Sequence, residues 1–298
     1  MTDKLPASTL RIGLPSGSLQ NATVDLFGKA GYRVRIAERS VFPQFDDPQI
    51  SAVLFRAQEI SRYVVDNIID CGLTGHDWIV ENGNENDVVE VCELIYSRAT
   101  SQPARWVLAV PDESPAKKPE DLAGGIIATE LVNVTRKYFA TKGVQDVTVE
   151  FSWGTTEIKA RLLDAIVELT ETGSSIRANN LRVLDTLLAS TIRLIANKKS
   201  WDIPWKREKM ENIAMLLRGA IEAGAKVGLK MNVPEQKLAD IVSFLPAEKS
   251  PTVSRLSDKD WVAVEVILED KQERELIPRL KRAGATGIIT YPLNKVIP

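Results

Sequence analysis

Short apolar runs alternate with amphipathic stretches along the first two thirds of the chain. Runs such as 10–14 and 71–75 are bounded by glycine or proline, which is typical of buried strands. Stretches such as 56–69 place apolar side chains at helical spacing and so predict helices. The alternation predicts an α/β fold with a mainly parallel sheet covered by helices. The predicted strands are 10–14, 34–36, 71–75, 105–110, 126–129, 147–151 and 192–196, and the predicted helices are one from Leu19 to the stop signal at Gly31, 56–69, one beginning at Asp77, 134–142 and 177–188.

A change of pattern divides this region into two lobes. We expect lobe I to cover 1–104 with a return segment at about 190–205, and lobe II to cover 105–189. The cleft between two such lobes is a preferred ligand site. Residues 201–209 look like a junction, and beyond it the order β-α-β-β-α-β predicts a ferredoxin-like domain over 210–298. The elements predicted there are helices at 211–223, 234–244 and 272–283 and strands at 226–233, 252–256, 262–268 and 287–291.

Charge, cysteine and histidine content exclude several classes of protein. Lys plus Arg number 38 against 40 Asp plus Glu, which argues against a nucleic-acid-binding face built on bulk charge. No apolar run approaches the ~20 residues of a membrane span, and the first residues do not resemble a signal peptide. Cys71 and Cys92 read as buried thiols of a cytoplasmic protein. The chain has one histidine, His76, which argues against serine–histidine catalysis and against a histidine-rich metal site.

Residues 172–175 have the composition of a phosphate-binding turn. Thr172, Gly173, Ser174 and Ser175 lie between a strand-like run and a predicted helix. Unpaired backbone N–H groups and the helix dipole stabilise a phosphate at such a position, and the glycine lets the backbone approach closely. The alternative is that one serine only caps the helix, since such turns are common.

Two carboxylates precede this turn. Asp164 and Glu168 are four residues apart, so both point to one face of a strand. Carboxylates accept hydrogen bonds from hydroxyl groups, so this pair suits the diol of a ribose. A solvated strand face is the alternative.

Taken with the rest of the chain, these segments resemble the long-form ATP phosphoribosyltransferases, which open histidine biosynthesis. The 172–175 turn, together with the residues from Asp164 that lead to it, resembles the phosphoribosyl pyrophosphate loop of that family. This stretch is the most specific element of the resemblance. The resemblance covers nearly the whole chain. The other stretches that carry it are Leu14–Leu19, Asp46-Asp47, Arg56–Ile60, Tyr63, Asp70–Asp77, Thr129-Glu130, Thr135-Arg136 and Ala178-Asn179.

The resemblance implies a two-lobed, periplasmic-binding-protein-like catalytic core and a C-terminal ferredoxin-like (ACT-like) regulatory domain. It implies that adenine N1 of ATP attacks phosphoribosyl pyrophosphate with Mg²⁺ as cofactor, that histidine inhibits, and that the protein forms a homo-oligomer, a dimer or hexamer. Arg56 is the candidate catalytic residue, acting on the leaving pyrophosphate, and no protein ligand of a metal is assigned. Trp153 is a candidate neighbour of adenine. The candidate substrate-binding residues are Gly17, Gly75, Asp77, Asp164, Ala165, Glu168, Thr172, Gly173, Ser174 and Ser175.

The chain departs from the family pattern at several of these positions. Many members have Lys and Arg where this chain has Ser16 and Ser18, so two positive charges near the pyrophosphate are missing. Lys159 and Arg161 are candidates for supplying that charge. A second interpretation therefore stays open: a regulatory paralogue that binds a nucleotide or another solute without turning it over.

Overall fold

The computed structural model describes residues 8–96, 103–246 and 250–297. The chain forms two compact units, one of Met1–Gly28 with Tyr32–Ala214 and one of Lys29–Gly31 with Met215–Pro298. The strands are β1 Leu10–Pro15, β2 Val34–Arg35, β3 Gln44–Phe45, β4 Ile50–Phe55, β5 Cys71–Gly75, β6 Val88–Leu94, β7 Ala104–Pro111, β8 Ile126–Thr129, β9 Thr148–Phe151, β10 Ala165–Thr170, β11 Leu181–Ser190, β12 Ile192–Asn197, β13 Lys226–Pro234, β14 Thr252–Arg255, β15 Trp261–Glu269 and β16 Thr286–Pro292. The helices are α1 Gln20–Ala30, α2 Ala57–Val65, α3 His76–Glu81, α4 Val132–Thr141, α5 Thr156–Lys159, α6 Ser174–Ala178, α7 Lys198–Trp201, α8 Pro204–Ala223, α9 Leu238–Val242 and α10 Glu273–Ala283.

The first sheet has the strand order β4-β1-β5-β12-β6. β1 runs parallel to β4 and β5, whereas β12 returns from the far end of the unit and pairs antiparallel with β5 and β6. Helix α2 packs its apolar face, Ile60 and Val64, against Ile79 and Ile195. The carboxyl ends of the parallel strands therefore deliver the loops after Pro15, Phe55 and Gly75 to one edge.

The second sheet has the strand order β11-β7-β10-β8-β9. β8 runs parallel to β9 and β10, and β7 pairs antiparallel with β10 and β11. Its core is formed by buried side chains that include Trp106, Leu108, Ile127, Leu131 and Val167. The loops after β8, β9 and β10 leave the sheet at the same edge, because these three strands point the same way.

The prediction of a helix over 177–188 is wrong. Helix α6 ends at Ala178, and β11 forms a long antiparallel ladder with β7. The ladder shifts register between Val183 and Asp185 and again between Thr186 and Leu188. Each irregularity displaces the alternation of apolar and polar residues, so the sequence loses the two-residue period of a strand.

The structure contains elements that the pattern did not predict, namely strands β3, β4 and β6 and helices α5 and α7. β4 and β6 belong to the first sheet, and the predicted junction at 201–209 is helical, covered by the end of α7 and the start of α8. The strand predicted at 71–75 and the strand predicted at 126–129 have the observed bounds of β5 and β8.

The second unit contains a four-stranded sheet with the order β14-β15-β13-β16. Two helical segments connect its strands in the sequence β13-α9-β14-β15-α10-β16, so the predicted ferredoxin-like topology is confirmed. Buried side chains of the sheet, including Leu229, Met231 and Val264, pack against Leu276 and Leu280 of α10.

Two remaining expectations concern cysteine and membranes. Cys71 and Cys92 are both buried and neither forms a disulfide, as predicted. Among the helices in the described ranges, none combines the length and the apolar character that a membrane crossing requires.

Candidate functional site

A tight turn follows the carboxyl end of β10 and leads into α6. Gly173 has φ of 73°, in the left-handed region that favours glycine. Its N–H donates to Thr170 Oγ1 at 2.8 Å, and Thr172 Oγ1 donates to Ser174 Oγ at 3.0 Å. Thr172 and Ser174 are exposed. The turn is therefore shaped by its own hydrogen bonds and presents hydroxyl groups outward.

The guanidinium group of Arg177 lies next to this turn. Arg177 Nη1 donates to the carbonyl oxygen of Thr172 at 3.1 Å, and a Cβ placed on Gly173 would come within 2.8 Å of that nitrogen. α6 has only 5 residues, so the helix dipole that we expected behind the turn is small. The positive charge next to the turn comes instead from Arg177. The sequence prediction missed this residue, although its place one helical turn after the glycine was a usable signal.

The carboxyl end of β10 also carries a cluster of carboxylates. Ser175 Oγ donates a short hydrogen bond to Glu157, and Glu168 lies close enough to Glu157 and Glu130 to interact with their charges. Burial, reinforced by the Glu157 and Glu130 charges, raises the pKa of Glu168 to about 7, against a partly offsetting hydrogen bond from Thr156. Glu168 is thus a half-buried carboxyl that changes its charge near neutral pH.

Asp164 does not join Glu168 in the site. Asp164 immediately precedes β10, and with ~3.3 Å per residue along a strand it lies about 13 Å from Glu168. Its Oδ2 accepts a hydrogen bond from the Ile126 N–H at 2.8 Å, and it lines a separate cavity together with Arg161. Ala165 is fully buried in the sheet core. The structure therefore places Asp164 and Ala165 away from the turn, because a spacing of four fixes the face of a strand but not its end.

Gly17 and Arg56 meet at the edge of the first sheet. The loop after β1 is held by the Ser16 N–H, which donates to the Phe55 carbonyl at 2.7 Å. Gly17 has φ of 80°, and a Cβ there would lie 3.2 Å from Arg56 Nη1. Arg56, at the start of α2, therefore reaches the loop that lacks the family's basic residues at Ser16 and Ser18. Arg161, in contrast, lines the cavity beside Asp164 and does not supply that charge.

Asp77 is engaged by the protein rather than left open for a ligand. Its carboxylate accepts hydrogen bonds from Trp106 Nε1 at 2.6 Å and from the Trp78 N–H at 3.0 Å, while its own N–H donates to Ser190 Oγ at 3.1 Å. Asp77 is buried, and burial raises its pKa despite these hydrogen bonds. A Cβ on Gly75 would come within 2.0 Å of Asp77 Oδ1, so Gly75 makes room for this carboxylate. Both residues line a cavity, but Asp77 serves to join α3 to β7 and to the end of β11.

Two cavities lie along the edges where the two sheets face each other. The smaller, of about 260 Å³, is bordered by the loops that contain Ser18, Asp77 and Glu171. The larger, of about 660 Å³, has a volume typical of small-ligand sites, and we call it the interlobe cavity. It is lined by Arg56, Gln58, Glu59, Arg62, Trp78, Glu81, Asn82, Glu130, Val132, Phe151, Trp153 and Gly154.

This geometry can bind a phosphorylated, hydroxyl-bearing ligand. The Thr172–Ser175 turn with Arg177 suits a phosphate, and the neighbouring Glu168 suits hydroxyl donors. Arg56 offers a second cation across the cleft.

Comparison with known families gives two matches. Residues 56–219 match the family described as ATP phosphoribosyltransferase, and residues 223–295 match the family described as HisG, C-terminal domain. The first match covers the first compact unit from residue 56 onward, and the second match lies within the second unit.

Similar proteins agree with the family matches. An ATP phosphoribosyltransferase of Chlorobaculum parvum is 56% identical over 291 residues, covering 97% of this chain and 98% of the relative. One from Pelotomaculum thermopropionicum is 57% identical over 290 residues, covering 97% and 99%. A solved structure, the ATP phosphoribosyl transferase (HisG:HisZ) complex from Thermotoga maritima, is 27% identical with a TM-score of 0.60, covering 72% of this chain and 99% of that chain.

Proposed function

The chain belongs to the ATP phosphoribosyltransferase family, in its long form, and from this premise we propose that it joins ATP to phosphoribosyl pyrophosphate. The products are phosphoribosyl-ATP and pyrophosphate, in the first step of histidine biosynthesis. The observation that carries the proposal is the Thr172–Ser175 turn beside the half-buried carboxyl of Glu168, a combination suited to a ribose phosphate.

The reacting atoms belong to the substrates. Adenine N1 of ATP forms a bond to the anomeric carbon of the ribose, while the bond from that carbon to pyrophosphate breaks and its electron pair leaves with the pyrophosphate oxygen. The protein then contributes positioning and charge stabilisation. A reaction of this kind requires no nucleophile from the protein.

The ribose phosphate is held at the carboxyl end of β10. The 5-phosphate lies against the backbone of the Thr172–Ser175 turn and the exposed hydroxyls of Thr172 and Ser174, and Arg177 adds charge to the turn. Ionised Glu168 accepts hydrogen bonds from the ribose hydroxyls. Its pKa of about 7 makes binding sensitive to pH near neutrality.

Arg56 binds the leaving pyrophosphate. Its guanidinium lies at the Gly17 loop, lines the interlobe cavity and forms no ion pair with any residue in the described ranges. An unpaired guanidinium stabilises the charge that develops on a departing pyrophosphate. Arg56 thereby offsets the missing positive charges at Ser16 and Ser18, which favours an enzyme over an inactive paralogue.

Magnesium accompanies the substrates in this proposal. The part of the chain that the structure describes has no group of three or more His, Cys, Asp or Glu side chains arranged to hold a metal ion. The Mg²⁺ would be carried by the pyrophosphate oxygens and water, as magnesium prefers. Chelation with EDTA should abolish turnover, and added MgCl₂ should restore it.

Regulation and assembly are assigned to the second unit. We propose that the ferredoxin-like domain binds histidine as a feedback inhibitor and that the chain works as a homo-oligomer, up to a hexamer, in the cytoplasm. The match of 223–295 to the family's C-terminal domain supports the regulatory role, and two buried cysteines that form no disulfide support a reducing compartment. Light scattering of the full chain with and without histidine tests the assembly.

A turnover assay tests the reaction itself. Purified protein is mixed with ATP, phosphoribosyl pyrophosphate, Mg²⁺ and pyrophosphatase, and the ultraviolet absorbance of phosphoribosyl-ATP is followed with and without histidine. Product that decreases with histidine supports the reaction and the inhibition. Product that histidine leaves unchanged refutes the inhibition alone. Ligand binding without any product would favour the non-catalytic paralogue.

A further inference from the structure

Two aromatic side chains stand exposed on the wall of the interlobe cavity. Trp153 is 76% exposed and Phe151 is 55% exposed, and their rings form an edge-to-face pair with centroids 5.7 Å apart. Six tryptophans occur in the chain, and large aromatic rings are ordinarily buried. An exposed indole on the wall of a concave site is free to stack on a planar ligand.

The loop that presents Trp153 is anchored on both sides of the indole. The Gly154 N–H donates to Glu130 Oε1 at 3.4 Å, and the hydroxyls of Ser152 and Thr156 form a hydrogen bond of 3.1 Å. Ser152 and Thr156 are buried. The backbone around Trp153 is therefore held in place while the ring itself is 76% exposed, which is the preorganisation that a stacking surface needs.

The charged groups that line the cavity fall into two classes. The carboxylates have donors within the protein: Glu81 accepts from the Asn133 and Val134 N–H groups at 2.9 and 3.0 Å, Glu59 accepts from Tyr63, and Glu130 accepts from Gly154 and Gln58. The guanidinium groups of Arg56 and Arg62 form no hydrogen bond or ion pair with a described side chain. The guanidinium groups are therefore the charged groups of the lining whose hydrogen-bond donors remain open to a ligand.

The two arginines are spaced along one helix. Arg56 begins α2 and Arg62 lies six residues further, about 9 Å along the axis. Both line the same cavity as Trp153. A planar aromatic surface together with Arg62 matches a ligand that has a base at one end and phosphates at the other, and Arg56 remains for the pyrophosphate of the other substrate.

We propose that Trp153 is the stacking surface for the adenine ring of ATP and that Arg62 binds the triphosphate of the same nucleotide. This inference rests on the proposed function and assigns the second substrate to a place within it. Phosphoribosyl pyrophosphate occupies the β10 turn with Arg56 at its pyrophosphate, and ATP enters through the interlobe cavity with its base against Trp153. Stacking on an aromatic ring holds a base by its face, so the N1 edge stays free to react.

The kinetic test compares the two substrates. Loss of one base–aromatic stack weakens binding by roughly tenfold to a hundredfold. We therefore expect Trp153→Ala to raise the KM for ATP at least about tenfold and to leave the KM for phosphoribosyl pyrophosphate within about twofold. Trp153→Phe retains a ring and should recover most of the affinity. Leu162→Ala is the matched control, because Leu162 is 78% exposed and lies outside the cavity.

Fluorescence reports the contact without any turnover. ATP should quench part of the tryptophan emission of the wild-type chain, and Trp153→Phe should remove the saturable part of that quenching. Arg62→Gln should weaken ATP binding more than adenosine binding, since adenosine has no phosphates.

The outcomes separate this inference from the proposed function. A wild-type chain that makes no phosphoribosyl-ATP but shows ATP quenching lost in Trp153→Phe refutes the reaction and supports the stacking surface. An unchanged KM for ATP in Trp153→Ala overturns the inference while the reaction stands. Equal rises in both KM values overturn it as well, because they show a general role in shaping the cleft.

Discussion

The two ends of β10 carry carboxylates of opposite character. Asp164 stands before the strand, is exposed, and accepts a hydrogen bond from the Ile126 N–H. Glu168 stands near the other end, is half-buried beside Glu157, and has a pKa raised to about 7 by burial. Both point to the same face of the strand. Their difference shows that in an open α/β sheet the direction of a strand, more than its face, decides which residues reach the ligand.

The carboxyl end is where the neighbouring loops converge. β8 and β10 are parallel, so Glu130 after β8 and the turn after β10 leave the sheet side by side. At the amino end, Asp164 accepts a hydrogen bond from the backbone of the neighbouring strand β8 and borders a cavity with Arg161. The comparison predicts large functional effects for changes after Val167 and small ones for changes at Asp164.

The largest effect is expected from Gly173→Val. A β-branched residue is strained at a φ of 73°, and its Cβ would displace Arg177, which lies 2.8 Å away. The KM for phosphoribosyl pyrophosphate should rise about a hundredfold, equivalent to roughly 3 kcal/mol. The matched control is Gly124→Val, which has a φ of 77° and open space around its Cβ near the amino end of β8. A similar KM increase in both variants would contradict the assignment of the turn.

The next effect is expected from Glu168→Gln, which keeps the shape and removes the charge. The kcat/KM for phosphoribosyl pyrophosphate should fall about tenfold to a hundredfold at pH 8. In the wild type, kcat/KM should rise between pH 6 and 8 as Glu168 ionises through its pKa of about 7. The variant should lack that rise. If kcat/KM of Glu168→Gln rose with pH by the same amount and with the same midpoint, the rise would come from another titrating group.

Stability should depend on pH through the same carboxyl. The folded-state pKa of Glu168 is raised from 4.5 to about 7, so between these values the folded chain binds more protons than the unfolded chain. The free energy of unfolding should therefore decrease as pH rises from 5 to 8, by up to about 3 kcal/mol from this group. Urea unfolding at both pH values measures the difference. Glu168→Gln should reduce it, whereas Leu162→Ala, which removes no carboxyl, should keep it.

The smallest effect is expected from Asp164→Asn. The asparagine oxygen still accepts from the Ile126 N–H, so the free energy of unfolding should fall by about 1 kcal/mol or less. Both KM values should stay within about twofold of the wild type. Steady-state kinetics of Asp164→Asn, measured in parallel with those of Glu168→Gln, provide the test. A tenfold increase in the KM for phosphoribosyl pyrophosphate would show that Asp164 contributes to substrate binding. It would contradict the conclusion that only the carboxyl end of β10 reaches the ligand.

The fold could be predicted where strands are buried on both faces. β5 and β8 are short, almost fully buried runs between clear boundaries, and their observed bounds agree with the prediction. β11 could not be recognised, because its two register shifts destroy the alternation that marks a strand. β6 was missed for a different reason: its partner in the sheet is β12, which comes much later in the chain.

The site could be predicted where chemistry is local. The turn at 172–175 is visible in four consecutive residues, whereas Asp77 takes its role from Trp106 and Ser190, which are 29 and 113 residues away in the chain. Its carboxylate therefore looked available in the sequence and is engaged in the structure. Arg177 was missed, although it lies one helical turn after Gly173, because the residue type does not show that its side chain folds back onto the carbonyl oxygen of Thr172.

The placement of β12 between β5 and β6 has a consequence for biosynthesis. On the ribosome, the strands from β7 to β11 are all synthesised before β12. The second sheet is then complete, whereas the first sheet still lacks β12, the strand that lies between β5 and β6. At ordinary elongation rates β6 then waits on the order of five to twenty seconds for β12. We expect nascent chains released before residue 192 to expose the apolar side of β6 and to be captured by chaperones, whereas the second lobe is already folded.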